Sequence, residues 1–171
     1  MFGRWLRSSA AATEPEGAEA LAHQVGKHLP DADDDTVRVV TAITGLLGVI
    51  AYADRDYSAS EETRVRRELS RIHGMTDVGI EAIAEALRQN ILEISTVQMP
   101  RYARTLVELA DRELRAEVLE VLVDLSAADG VISNDEVKLL RTVTQALGLT
   151  QQDYNAAQHR HRDKLSALKP R

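Results

Sequence analysis

An apolar helix, an Asp at its end, a short polar turn, a Glu opening the next helix and a glycine-containing stop occur twice in this chain. That order constrains the fold more than any other feature. Ala51-Tyr52-Ala53-Asp54 leads to Glu61-Glu62 and a segment ending His73-Gly74-Met75-Thr76. Ser126-Ala127-Ala128-Asp129 leads through Gly130-Val131-Ile132-Ser133 to Asp135-Glu136 and a segment ending Gly148-Leu149-Thr150. A duplicated helix-turn-helix unit leaves such a trace. Leu47, Ile50, Ala53 and Asp54 match Leu122, Leu125, Ala128 and Asp129 at an offset of 75. Glu62, Leu69 and Gly74 match Glu136, Val143 and Gly148 at an offset of 74, which makes the first turn one residue longer. Two copies are too few for a solenoid, so the units are expected to pack on each other about a pseudo-twofold axis.

Apolar spacing reads as helix throughout. Leu21, Val25 and Leu29 recur every four residues, ahead of Pro30 and an acidic run from Asp31 to Asp35 suited to a helix N-terminus. Val37, Val40, Ile43, Leu47 and Ile50 form one stripe over about 34–53. The capping box Ser58-Ala59-Ser60-Glu61 opens a third helix with Val65, Leu69 and Ile72. A fourth spans about 76–94 with Ile80, Ile83, Leu87 and Ile91, and Pro100 suits the first residue of a fifth. Leu114, Val118, Leu122 and Leu125 align in a sixth, and Ser133-Asn134-Asp135-Glu136 caps a seventh with Leu140, Val143 and Leu147. An eighth begins at Thr150 and runs into a basic tail. No segment sustains period-two alternation. The reading is an all-α bundle of about seven to eight helices built from two pseudo-symmetric repeats. Residues 1–17 read as a basic-aromatic terminus and linker, 18–162 as the helical domain with halves at about 34–90 and 100–157, and 163–171 as a basic tail.

Charge narrows the functions. The net charge is −6, while Arg4 and Arg7 give the first nine residues +2 and the segment from 158 onward carries +4. The body between them therefore carries −12, which argues against nucleic acid and favours a cation or a basic protein partner. Cysteine is absent, which removes disulfides, thiolate metal sites and cysteine nucleophiles. The apolar run from Gly45 to Ala53 is too short to span a bilayer, and the N-terminus lacks the apolar core of a signal peptide. The expectation is a cytoplasmic protein without a transmembrane segment. The same pattern leaves its oligomeric state open.

The acids at the turns are the candidate site. Asp54 and Asp129 close apolar helices, where the helix dipole makes a carboxylate unfavourable by roughly 0.3–1 kcal/mol. A bound cation relieves that cost, and so does hydration. Carboxylate oxygens suit calcium or magnesium, and zinc also accepts them. The plain structural alternative is that Asp129-Gly130 is a left-handed helix stop and Glu136 the reciprocal partner of Ser133. An EF-hand is excluded: Asp129 to Glu136 fits the last eight loop positions, but the first and third ligands fall on Leu125 and Ala127.

The pattern Ala-Asp-Gly-x-Ile-x-x-x-Glu at Ala128 to Glu136, opening a helix that ends Leu147-Gly148-Leu149-Thr150, resembles the TerB-like family. That family includes tellurite-resistance proteins and the N-terminal domain of a membrane-anchored DnaJ-type co-chaperone. The weaker copy at Ala53 to Glu62 extends the likeness to roughly residues 30–157. The resemblance implies an all-helical domain with an acidic surface able to chelate metal, tied to stress response at the membrane, peripheral to the inner membrane. On this chain those acids fall on Asp129, Asp135 and Glu136 in the second copy and Asp54, Asp56, Glu61 and Glu62 in the first. Arg55 stands where the family pattern has glycine. It makes a left-handed turn harder to adopt and offers a partner for Asp54.

Catalysis has no visible seat. The fingerprints GxSxG, HExxH, the P-loop and the Gly-rich dinucleotide turn are absent. His23, His28 and His73 are scattered, and His159 and His161 are two apart and do not share a helix face. Phe2 and Trp5, the only Phe and Trp, interleave with Arg4 and Arg7 as a short docking or membrane-surface element or a segment tucked on the bundle. The sequence thus predicts a non-enzymatic stress-response protein binding a divalent cation (calcium, magnesium or zinc) or a protein partner. The alternative is a metal-free interaction module for a basic partner.

Overall fold

The computed structural model describes residues 17–127 and 132–168, with side chains through residue 160. Nine helices and no strands occur among them: α1 (Ala18–His28), α2 (Asp34–Ala51), α3 (Ala59–Leu69), α4 (Asp77–Gln89), α5 (Ile91–Val97), α6 (Met99–Leu109), α7 (Arg112–Ser126), α8 (Asn134–Ala146) and α9 (Gln151–Leu168). The all-helical bundle is the fold that the apolar spacing predicts. The Phe2/Trp5 segment and the last three residues lie outside the described residues.

The extra helix arises at Asn90. One helix was expected over 76–94, but the chain breaks after Gln89. Asn90 Nδ2 donates to Ala86 O at 2.8 Å, and its Oδ1 accepts the Gly17 N–H at 2.9 Å. An Asn side chain competes in this way with the helical backbone. Asn90 thereby ends α4, starts α5 and pins the start of α1. Pro100 occupies the first turn of α6, as its missing N–H allows.

The core is organised around α2, which packs against α1 and against α3 through α8. Asp33 caps its start by accepting the Thr36 N–H at 2.7 Å, which accounts for part of the acidic run. From Val40 to Ala51 every residue except Ile43 is buried. A single apolar stripe was expected; the helix is buried on all sides, the arrangement of a core helix. Thr41 and Thr44 enter this core because their hydroxyls donate to Val37 O and Val40 O at 2.7 and 2.8 Å. Gly45 and Gly48 permit the crowding: a methyl on Gly45 would overlap the Tyr102 ring of α6, and one on Gly48 would collide with Leu87 of α4. Fully buried Leu47, Leu87, Leu106 and Leu122 each contribute on the order of 1.5–3 kcal/mol through removal from water. Among the described residues, no helix is long and apolar enough to cross a membrane.

Candidate functional site

The first turn begins where α2 runs out of buried positions. Tyr52 N–H still bonds to Gly48 O at 3.0 Å, and Arg55 N–H closes a tighter turn onto Tyr52 O at 2.9 Å. Asp54 Oδ1 accepts the Asp56 N–H at 3.0 Å, an Asx turn that reverses the chain. Arg55 takes φ 66°, the one left-handed non-glycine residue among those described. The turn therefore keeps the shape that glycine favours without the glycine, at about 1–2 kcal/mol of steric cost. Asp54 bonds to the backbone of Asp56, and Arg55 forms no ion pair with it among the described residues.

Tyr57 then turns inward and packs on the core. Its hydroxyl is buried without a hydrogen-bond partner. Burial, reinforced by the Glu62 carboxylate, pushes the phenol far above its ordinary range. Ser58 caps α3 by a full capping box. Glu61 N–H donates to Ser58 Oγ at 3.2 Å, while Ser58 N–H donates to Glu61 Oε2 at 2.8 Å. Glu62 faces Arg66 at 3.1 Å, and Arg66 forms a fork onto Glu81 of α4 at 3.0 and 3.1 Å. The Glu81 hydrogen bond holds the Arg66 guanidinium above its usual value.

The second turn repeats the cap. Glu136 N–H donates to Ser133 Oγ at 3.2 Å, and Ser133 N–H donates to Glu136 Oε2 at 2.7 Å. Asp135 is exposed and Ile132 packs on the core. Asp129, the residue singled out first in the sequence, lies outside the described residues, as does Gly130. Arg64 of α3 donates to Leu125 O, in the last turn of α7, at 3.5 Å. A guanidinium there complements the negative end of the helix, and the bond brings the first unit's helix against the approach to the second turn.

These caps correct the expected register. Ser58 and Ser133 are 75 apart, as are Glu61 and Glu136. Glu61, and not Glu62, is therefore the counterpart of Glu136, and the first turn is no longer than the second. The single-residue difference falls later, before left-handed Gly74 (φ 85°) and Gly148 (φ 69°), which are 74 apart. Helix α3 ends at Leu69, well before its glycine, whereas α8 continues to Ala146.

The candidate acids divide by what they touch. Glu61 and Glu136 each commit an oxygen to a cap, and Glu62 faces Arg66. Asp54, Asp56 and Asp135 are exposed. Among the described residues, no three Asp, Glu or His side chains converge to hold a metal ion. A further cap escaped the sequence reading: Thr150 N–H donates to Asp153 Oδ2 at 2.7 Å and Asp153 N–H to Thr150 Oγ1 at 3.2 Å. The Thr150 backbone bond, with Arg112 also donating to Asp153, depresses the Asp153 carboxyl below its ordinary value. The spacing Thr-x-x-Asp was the available signal.

The family described as Tellurite resistance protein TerB matches residues 40–159, well over half of the chain. The chain belongs to the TerB family. The match takes in both turns, both Ser–Glu caps and the chain from within α2 to the middle of α9. No curated protein and no solved structure matches the chain. The TerB assignment thus rests on that family match and on the helical fold.

Proposed function

We propose that this TerB-family chain is a non-enzymatic tellurite-resistance-type protein, acting in stress response by binding a basic protein partner through its acidic turns. The carrying observation is the division of labour among the acids. Glu61 and Glu136 build the caps, which leaves Asp54 and Asp56 exposed on the first turn and Asp135 exposed in the first turn of α8. Exposed carboxylates on a net-acidic body attract cationic surfaces and speed their encounter.

The second reading is a divalent cation (calcium, magnesium or zinc) at the second turn, with Asp129, Asp135 and Glu136 as its ligands. The spacing of these three around Gly130 favours it, and Glu136 has an oxygen beyond the one its cap uses. Asp54, Asp56, Glu61 and Glu62 form the corresponding set at the first turn, where Glu62 already faces Arg66.

Survival of tellurite-challenged cells expressing the chain tests the main reading. Asp54→Asn/Asp56→Asn/Asp135→Asn is expected to abolish protection while the protein remains folded. Full protection by this variant contradicts the reading. Calorimetric titration with calcium, magnesium and zinc tests the second: heat that vanishes in Asp129→Asn/Glu136→Gln supports it, and no heat with any of the three ions removes it.

A further inference from the structure

A cleft of about 450 Å³ runs between α1 and α4, within the usual range for a binding pocket. Ala20 on α1 and Ala82 and Ala86 on α4 are too short to close the gap, and Gln24, Gln89 and Asn90 also line it. Glu85, the carboxylate on this lining, is already bound by Arg88 and Gln89. The buried side-chain atoms without a partner among the described residues are the Tyr57 and Tyr102 hydroxyls, and neither tyrosine lines the cleft. No unmet polar group therefore calls for a polar ligand here, and the alanine surface suits an apolar one.

The chain itself supplies such a group. Its only Phe and Trp, Phe2 and Trp5, stand ahead of Gly17, so the helical core is built without either. Gly17 enters the fold at this cleft: its N–H donates to Asn90 Oδ1 at 2.9 Å, and Asn90 is on the lining. Twelve positions separate Trp5 from Gly17. A flexible tether of that length has a root-mean-square reach of about 20 Å, against about 12 Å along α4 from Ala82 to Asn90. A reach matched to the span in this way gives a high local concentration. The exposed apolar residues of α5 make a poorer seat. Leu92 and Val97 are 64% and 61% exposed, yet at five positions apart they diverge by about 140° around the helix and share no face.

We infer that the cleft between α1 and α4 seats the Trp5 side chain, with the segment around it folded back from Gly17. The indole lies on Ala20, Ala82 and Ala86. Its N–H, which can only donate, meets the Gln89 carbonyl oxygen, because the Gln89 amide nitrogen is spent on Glu85 at 2.9 Å. The basic-aromatic element is thereby used inside the chain and not on a membrane.

Trp5 is the only Trp, so the intrinsic fluorescence of the full chain reports on it alone. The expected result is emission blue-shifted from that of the chain in denaturant, with several-fold weaker quenching by acrylamide, both unchanged on dilution. Ala82→Gln puts a longer side chain of good helix propensity into the cleft at a half-buried position. It is expected to raise quenching to the denatured level while the melting temperature is retained. Trp5→Ala, read by methyl NMR, checks the contact from the other side. The Ala20, Ala82 and Ala86 methyl signals are expected to shift as the ring is removed, with Leu92 and Val97 unmoved. A Trp5 as open to acrylamide in the native chain as in denaturant overturns the proposal, and so does protection that survives Ala82→Gln. Shifts confined to Leu92 and Val97 overturn it in favour of a seat on α5. Protection lost on dilution overturns it in favour of a second copy, and a blue shift seen only with phosphatidylglycerol vesicles in favour of a membrane.

Discussion

The two helix-turn-helix units share a cap but differ in what surrounds it. In the first, α2 is buried on all sides, Arg55 is held left-handed and Tyr57 carries its hydroxyl into the core. In the second, α7 exposes Glu113, Glu117 and Asp124, the sequence supplies Gly130 for the turn, and Ile132 fills the inward position. Tyr57 and Ile132 are 75 apart, in register with the caps. The comparison teaches that both units open their second helix with the same Ser–Glu cap, and that the first turn holds a non-glycine residue left-handed at a modest cost. The first unit has spent its tolerance on becoming the core; the second keeps the fuller acidic pattern.

The largest expected break in this comparison is at Gly45. Gly45→Ala drives a methyl into the Tyr102 ring and is expected to cost about 1–3 kcal/mol in denaturant unfolding. At the corresponding position of α7 stands Glu120, half exposed and paired with Arg160. Glu120→Ala is expected to stay within about 0.5 kcal/mol. Next come the caps: Ser58→Ala and Ser133→Ala are each expected to lose about 1 kcal/mol, and equal losses in thermal melts would match their identical geometry. Arg55→Gly is expected to stabilise by about 0.5–1 kcal/mol, since relief of the left-handed strain exceeds the entropy cost of glycine.

A separate effect concerns alkaline pH. The Tyr57 phenol is raised by burial and by Glu62, and burial pushes Tyr102 up to about 12. An acid whose pKa is raised on folding holds its proton longer in the native state. Stability is therefore full below the unfolded value near 10 and declines as pH rises toward 12. Tyr57→Phe is expected to reduce that decline, and to leave neutral-pH stability unchanged or slightly higher, because it removes an unpaired buried hydroxyl. Unfolding midpoints measured at pH 8 and pH 11 check both statements.

Much of the fold was legible because it rests on local rules. Serine three residues before glutamate announced both caps, and four-residue apolar spacing announced the helices. The break at Asn90 was not legible, because it depends on a hydrogen bond to Gly17, 73 positions away. Nor was the all-round burial of α2, which needs Gly45 and Gly48 to meet Tyr102 and Leu87 from distant segments. The register was misjudged because Glu61 and Glu62 are adjacent and only the cap tells them apart. Of the candidate site, the residue types and turn positions were readable. The engagement of Glu62 by Arg66, which also reaches Glu81 of α4, was not, since it depends on side-chain geometry.

The central claim is that the glutamates of the two turns hold the fold and the aspartates serve binding. Denaturant unfolding of Glu61→Ala/Glu136→Ala beside Asp54→Asn/Asp56→Asn/Asp135→Asn tests it most directly. The account predicts that the glutamate pair loses about 1–3 kcal/mol, while the aspartate set stays within about 0.5 kcal/mol of the parent. An aspartate set as unstable as the glutamate pair would contradict it.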